Sequence, residues 1–303
     1  MMLNPILSFS ATRRMRSFRT MLIVIAYEAA LLILALVMLT AFMGDTVSLN
    51  IMDRSTLCYV LLVAAQFGLI ALIAPAMTSG SIAGERERQT LDLLLVTNTG
   101  SFRIAAGKIL ESFALLALLI LCGLPVTCLC LLTGGVGPGQ ILLGTGFLLA
   151  EALLCVTVGV FCSSLGRSTV VSGVISYLTL LAIGLVTALP FLTGYPQRIT
   201  NVVYDQQLYA ALTPGEARAM ISPLLYLNPG FGLTSLLQGQ THLLTSAIEN
   251  RGWGRLLCTW RMMDRAGCDV VTMISAGSMI LLSAALAAVT AVLIRRGGKR
   301  KAN

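Results

Sequence analysis

The chain has 303 residues, 56% hydrophobic and 11% charged, with a mean hydropathy of +0.87. A soluble domain carries about 25% charged residues, so this composition excludes an ordinary water-soluble fold and favours one membrane domain over the two soluble ones the length would allow. The formal net charge of +8 would suggest nucleic acid in a soluble protein, but here Lys and Arg flank apolar runs, where they set orientation and meet anionic head groups. No nucleic-acid partner is expected.

In residues 1–20, Leu3, Ile6, Leu7 and Phe18 recur at helical spacing around Arg13, Arg14, Arg16 and Arg19. That pattern predicts a short helix lying in the membrane interface. Six stretches then follow at 21–43, 57–79, 109–132, 141–163, 169–192 and 270–294. Each reaches the roughly 20 apolar residues needed to cross the hydrocarbon core, and none alternates as a barrel strand does. The first is too long for a signal-peptide core and lacks a convincing cleavage site, so it is read as an uncleaved anchor. The expected fold class is an all-α integral membrane protein with six transmembrane helices, occupying residues 1–303 as a single domain.

Orientation follows from Lys and Arg in the short loops. One side receives fourteen of them: the N-terminal cluster, Arg86, Arg88, Arg103, Lys108, Arg167 and the basic tail 295–303. The other side receives Arg54 alone in its short loops. Both termini are therefore expected in the cytoplasm of a cell that keeps this chain in its plasma membrane. The segment 193–269, with Pro196, Pro214, Pro223 and Pro229, is too long and polar for a simple hairpin. It is expected to form an extracytoplasmic subdomain of short helices, some dipping into the outer leaflet, with Trp253 and Trp260 at the interface.

Polar residues inside the spans are few. Glu28 and Glu111 lie near span ends, where snorkelling or local pairing accounts for them. Glu151 falls near the middle of the fourth span, and a charge there costs about 2.5–3.5 kcal/mol or more. Two roles stay open for it: lining a translocation path, or bonding to a neighbouring helix inside the bundle. Gln66, also mid-span, fits an interhelical hydrogen bond. Pro75 and Pro125 each remove a backbone donor from a span and are candidate hinges, and Gly159 and Ser163 have the small-xxx-small spacing of close helix contact. Of the eight cysteines, Cys58, Cys122, Cys155 and Cys162 read as small core residues. Cys128 and Cys130 lack zinc spacing. Cys258 and Cys268 share one polar loop and are the candidate disulfide if that loop faces an oxidising compartment. The lone His242 has no ligating neighbours in sequence, and no metal is expected.

Between the second and third spans, residues 80–103 carry an alternating charge run. Read as a helix, Glu85, Arg88, Gln89 and Asp92 share one face, while Leu91, Leu94 and Leu95 turn elsewhere. Pairs three and four apart on such a face support one another. A short rigid helix tethered to two spans would suit force transmission; a solvated loop is the plainer alternative.

The run Gly84-Glu85-Arg86-Glu87-Arg88-Gln89-Thr90-Leu91-Asp92-Leu93-Leu94 resembles the coupling-helix signature of bacterial ABC-2 type transporter permeases. Its position after the second of six spans, Asn4-Pro5, Gly107-Lys108 and Leu227-Asn228-Pro229 agree with that family's habit. The specific part covers residues 74–108. The resemblance implies a dimeric pore formed with a second copy or a sister permease. It also implies separate ATPase subunits that bind the coupling helices through Glu85, Arg86, Glu87, Arg88, Gln89, Thr90 and Asp92, and that hold ATP and magnesium. This chain itself is expected to bind no cofactor and to hydrolyse nothing. Gly100 to Lys108 has the wrong glycine spacing for a phosphate loop, and Ile109 stands where Ser or Thr would meet magnesium. Leu236 to Gln240 falls on the outer side. An intramembrane enzyme would need a nucleophile or metal constellation that is not seen. An ion-coupled secondary transporter would need inverted repeats. A membrane scaffold or sensor is the third alternative.

Overall fold

The computed structural model describes residues 18–43, 51–89, 101–132, 134, 136–166, 168–191, 195–240 and 261–302. The interfacial helix expected before Phe18 lies outside these residues, as do Thr90, Asp92, His242, Trp253, Cys258 and Trp260. The described residues form helices joined by turns, with no strand among them. In hydrocarbon a helix bonds its own backbone groups, which makes it the natural solution for so apolar a chain.

The membrane helices are α1 (Phe18–Met43) and α2 (Ile51–Thr78), then, after the short α3 (Ala83–Glu87), α4 (Ser101–Leu132), α5 (Pro138–Leu165), α6 (Thr169–Thr187) and, last in the chain, Cys268–Ala302. All six are long and apolar enough to cross a membrane. Their ends differ from the hydropathy reading in four places, the first being α2, which begins at Ile51 and not at 57. Helix α4 begins at Ser101, well before 109, and the last helix runs on through the basic tail to Ala302. Helix α6 stops at Thr187, where a 3-10 turn Leu189–Phe191 follows. Hydropathy registers where side chains are apolar, whereas backbone bonding continues through charged turns. Pro75 and Pro125 lie inside α2 and α4, and neither ends its helix.

Helix α5 is the centre of the bundle, with 67% of its apolar window buried against at most 44% in any other membrane helix. Phe147, Leu148, Leu154 and Val158 pack with Leu62 and Ile70 of α2 and Leu116, Leu119 and Ile120 of α4. Lipid tails are as apolar as these side chains, so helix association there depends on close fit and polar contacts. The fit is made by small residues. Gly159 of α5 meets the buried Thr78, and Gly144 meets the Tyr59 hydroxyl, which donates to Gln140 O at 3.0 Å. Serine and threonine in the spans donate back to carbonyls one turn away, as Thr145 does to Ile141 O at 2.8 Å and Ser283 to Met279 O at 2.7 Å. Helix starts are capped locally: Pro138 opens α5 with Gln140 accepting from Gly137 N, and Ser168 accepts from Val171 N at the head of α6.

Between α6 and the last helix the chain forms α7 (Tyr195–Tyr204), α8 (Gln206–Ala211), α9 (Pro214–Met220), α10 (Pro223–Tyr226) and α11 (Pro229–Gln240). The last membrane helix is accordingly α12. These short helices build a second apolar core from Ile199, Val203, Ala217, Leu225, Met262 and Met263, continued by Val271 of α12. Asp205 caps α8 through Gln207 N and Leu208 N. Thr213 and Glu216 form a reciprocal capping box on α9, whose bonds hold the Glu216 carboxyl below the ordinary glutamate range. Arg265 donates to Leu212 O and Ala210 O, fastening helical residues 261–266 onto α8. Cys268, the described half of the disulfide candidate, is buried as a free thiol at the start of α12.

Helix α11 returns to the bundle. Its Ser235 hydroxyl meets Thr272 of α12 at 2.8 Å, and Leu236 and Leu237 join the main core. Asn228 places it: the side-chain oxygen accepts from Gly230 N and Phe231 N, while the amide donates to Gly184 O of α6 at 3.1 Å.

Candidate functional site: the junction of α2, α3, α4 and the α5–α6 turn

The charged run after α2 is folded onto the bundle rather than suspended from it. Ser79 to Ile82 turn the chain, with Ser79 N bonded to Pro75 O and Gly84 N to Gly80 O. Helix α3 then lasts only from Ala83 to Glu87. Gln89 takes φ +57°, in the left-handed region, and the helix cannot continue through it. The helix that periodicity extended from Glu85 to Asp92 is therefore interrupted by Gln89.

Ser163 of α5 holds this turn. Its hydroxyl accepts from Ile82 N and Ala83 N, both at 3.0 Å, and donates to Ser79 O at 2.8 Å. These backbone groups are buried, so the serine stands in for the water they left. One helical turn earlier, Gly159 allows Thr78 to pack directly on α5. Gly80 and Gly84 lie against the Thr169 methyl, where an added Cβ would be 3.6 and 3.4 Å away.

The charges of α3 bond to the bundle, Glu85 and Arg86 part-buried and Glu87 at the exposed edge. Arg86 donates to Gly166 O at 2.6 Å and Ser164 O at 3.0 Å, closing the C-terminal end of α5, where carbonyls lack helical partners. Glu87 accepts from Thr169 N at 3.0 Å, placing a carboxylate at the N-terminus of α6 where the helix dipole favours it. Glu85 pairs with Lys108 of α4 at 2.5 Å. Glu87, Arg88 and Gln89 are exposed. So of the residues singled out in sequence, Glu85, Arg86 and Glu87 are brought together as fasteners, and Arg88 and Gln89 present the outward surface. Thr90 and Asp92 lie outside the described residues. Ser163 and the Gly166 carbonyl did not stand out as partners of α3; the small-xxx-small pair Gly159 and Ser163 was the signal that marked their location.

A second polar group sits in the bundle interior. Glu151 of α5 is 1% exposed, and its Oε2 has no hydrogen-bond partner among the described residues. Tyr27 of α1, also buried with an unpartnered hydroxyl, shares one electrostatic neighbourhood with Glu151, Glu28 and Cys122. Glu28 is only half-buried, yet one of its oxygens is shielded and unpartnered among the described residues. Gln66 of α2 lies over Gly123 of α4, where an added Cβ would fall 2.5 Å from its amide nitrogen. It also lines a small pocket with Tyr59, Thr127, Gly144 and Thr145. Glu151 and Gln66 thus occupy the interior of this chain's own bundle.

Comparison with protein-family models and with curated proteins finds no match to this chain.

Proposed function

We propose that the chain is the membrane-spanning permease subunit of an ATP-driven transporter of the ABC-2 type. It sits in a bacterial plasma membrane with both termini cytoplasmic and exports a substrate using ATP hydrolysed by separate subunits. One observation carries this reading. The segment with the resemblance folds into a short helix fastened to three membrane elements, so a partner gripping its exposed end pulls on α2, α4 and the α5–α6 turn at once. A solvated loop has no need of such fastening. In this reading Arg88 and Gln89 meet the ATPase, with Thr90 and Asp92 continuing the contact. Arg86, Glu87 and Glu85 transmit the load inward, and Pro75 and Pro125 are the points where the flexing helices yield. Helices α7 to α10 form the extracytoplasmic subdomain.

The test is a search for a gene beside this one that encodes a separate ATPase with no membrane spans, co-purification of its product with this chain, and ATP-dependent transport in vesicles. Arg88→Glu is expected to lose the association. Its thermal midpoint should barely move, since exposed substitutions cost within about 0.5 kcal/mol. Arg86→Ala is expected to lower stability by about 1.5–3 kcal/mol, because it removes hydrogen bonds from a charged donor. Retained association and transport in Arg88→Glu would overturn the assignment.

Glu151 supports a second reading, an ion-coupled transporter in which the shielded carboxyl carries a proton. The same vesicles discriminate between the two. Undiminished ATP-dependent transport in both Glu151→Gln and Glu151→Leu excludes the proton-carrying role. Transport lost in both, and driven by a proton gradient without ATP in the wild type, would favour it.

A further inference from the structure

Three membrane helices enclose a polar cavity toward the end of the bundle away from α3. Tyr59 and Gln66 line it from α2, Thr127 from α4, and Thr145 and Leu148 from α5. All of them lie within the apolar spans, and Tyr59, Gln66 and Leu148 are at most 2% exposed. Thr127 is close to the end of α4 and Thr145 to the start of α5, whereas α3 is bonded near the opposite ends of both helices. Glycines shape the space. Gly123 lets the Gln66 amide lie against α4, where an added Cβ would be 2.5 Å from its nitrogen, and Gly144 admits the Tyr59 hydroxyl.

The hydroxyl hydrogens around this cavity are already committed. Tyr59 donates to Gln140 O at 3.0 Å, Thr127 to Leu124 O at 2.9 Å and Thr145 to Ile141 O at 2.8 Å. What the two threonines have left to offer is oxygen lone pairs. Gln66 brings the complement, two N–H donors and a carbonyl, and its side chain makes no hydrogen bond among the described residues. An amide left unpaired at membrane depth is costly, because lipid supplies no partner. The cavity volume is about 10 Å³, at the threshold for a single water and too small for an organic ligand. Hard cations call on carboxylates, and none is among the lining residues.

We infer that this cavity binds one ordered water, which bridges Gln66 of α2 to Thr127 of α4 and Thr145 of α5. The water accepts from the Gln66 amide and donates to the two threonine oxygens, about the three bonds that a buried water typically makes. It completes a three-helix junction that the side chains alone leave open. The site stands whether or not the chain is a transporter.

The experiment exposes the full chain in lipid nanodiscs to a synchrotron X-ray pulse, which splits ordered water into hydroxyl radicals, and maps side-chain oxidation by mass spectrometry. Leu148 and Leu154 are a matched pair: both are buried on α5, but of the two only Leu148 lines the cavity. Leu148 is expected to oxidise at least about fivefold faster than Leu154, because the radical reacts where its parent water stood. Gln66→Leu, and separately Thr127→Val combined with Thr145→Val, should bring Leu148 down to the Leu154 rate. Thr127→Ser combined with Thr145→Ser keeps both oxygens and should hold Leu148 near its wild-type rate. Thermal midpoints establish that the variants are folded. Equal rates at Leu148 and Leu154 in the wild type, or a Leu148 rate indifferent to the leucine and valine changes, would overturn the inference. A Leu148 rate that falls when sodium replaces N-methylglucamine in the buffer would assign the cavity to a metal cation and overturn it as well.

Discussion

Gly159→Ala is expected to lower the thermal midpoint of the purified protein by about 2–12 °C, and Gly159→Val to prevent recovery of a monodisperse species. An added Cβ at this position overlaps the Thr78 hydroxyl and falls 2.7 Å from Thr78 Cβ. Thr78 cannot swing aside, because it is fully buried and its hydroxyl donates to Ala74 O at 2.8 Å. The helices must then separate, and overpacking of this kind costs about 1–3 kcal/mol. For a chain of this size each kcal/mol corresponds to about 2–4 °C. The check is a double-mutant cycle. Thr78→Gly alone loses packing, but combined with Gly159→Ala it should recover part of the lost stability, since the overlapping atoms are gone. Strict additivity of the two losses would show that the Gly159–Thr78 contact is not what joins α5 to α2.

Ser163→Ala has the second large expected effect, of a different kind. The change removes one oxygen and leaves the Ile82 and Ala83 amides without their acceptor. A buried amide stripped of its partner costs about 1–3 kcal/mol, so the loss falls mainly on the turn that carries α3. Local opening should rise more than global unfolding. Trypsin reads this directly, because Arg86 and Arg88 lie within the affected segment. Cleavage there tracks the population of the open form. At 1.4 kcal/mol per decade, an increase of about tenfold or more is expected in Ser163→Ala under native conditions. Ser163→Thr, which keeps the hydroxyl, should stay near the wild type. Equal cleavage in the alanine variant and the wild type would remove Ser163 as the fastener.

These two positions also show what could be read from the chain alone. The six membrane helices were legible because hydropathy sums over about 20 residues and little else can produce such runs. Gly159 and Ser163 were visible as a close-packing pair, but nothing local identified their partner as the Thr78–Ala83 turn. The candidate site was legible in place and misjudged in shape. Periodicity extended one face from Glu85 to Asp92, whereas the backbone turns left-handed at Gln89. The charges looked available to solvent or to a partner, yet Arg86 and Glu87 are satisfied by the Gly166 carbonyl and the Thr169 amide. Those are backbone groups about eighty residues away, and a sequence displays no signal for an unpaired carbonyl at the end of a helix.

The central position of α5 has a bearing on how the protein is made. Helices α2 and α4, two of its principal neighbours, precede it in the chain, and α6 and α12 follow. Synthesis delivers segments in that order. Glu151 therefore arrives in the bilayer with two of its walls already standing, and a carboxyl too costly to expose to lipid is received by helices that can shield it. The last wall, α12, comes only after the short helices between it and α6 have been made. Until then the side of α5 that α12 will cover stays open, and the unfinished bundle offers it to whatever membrane chaperone or neighbouring helix stands nearest.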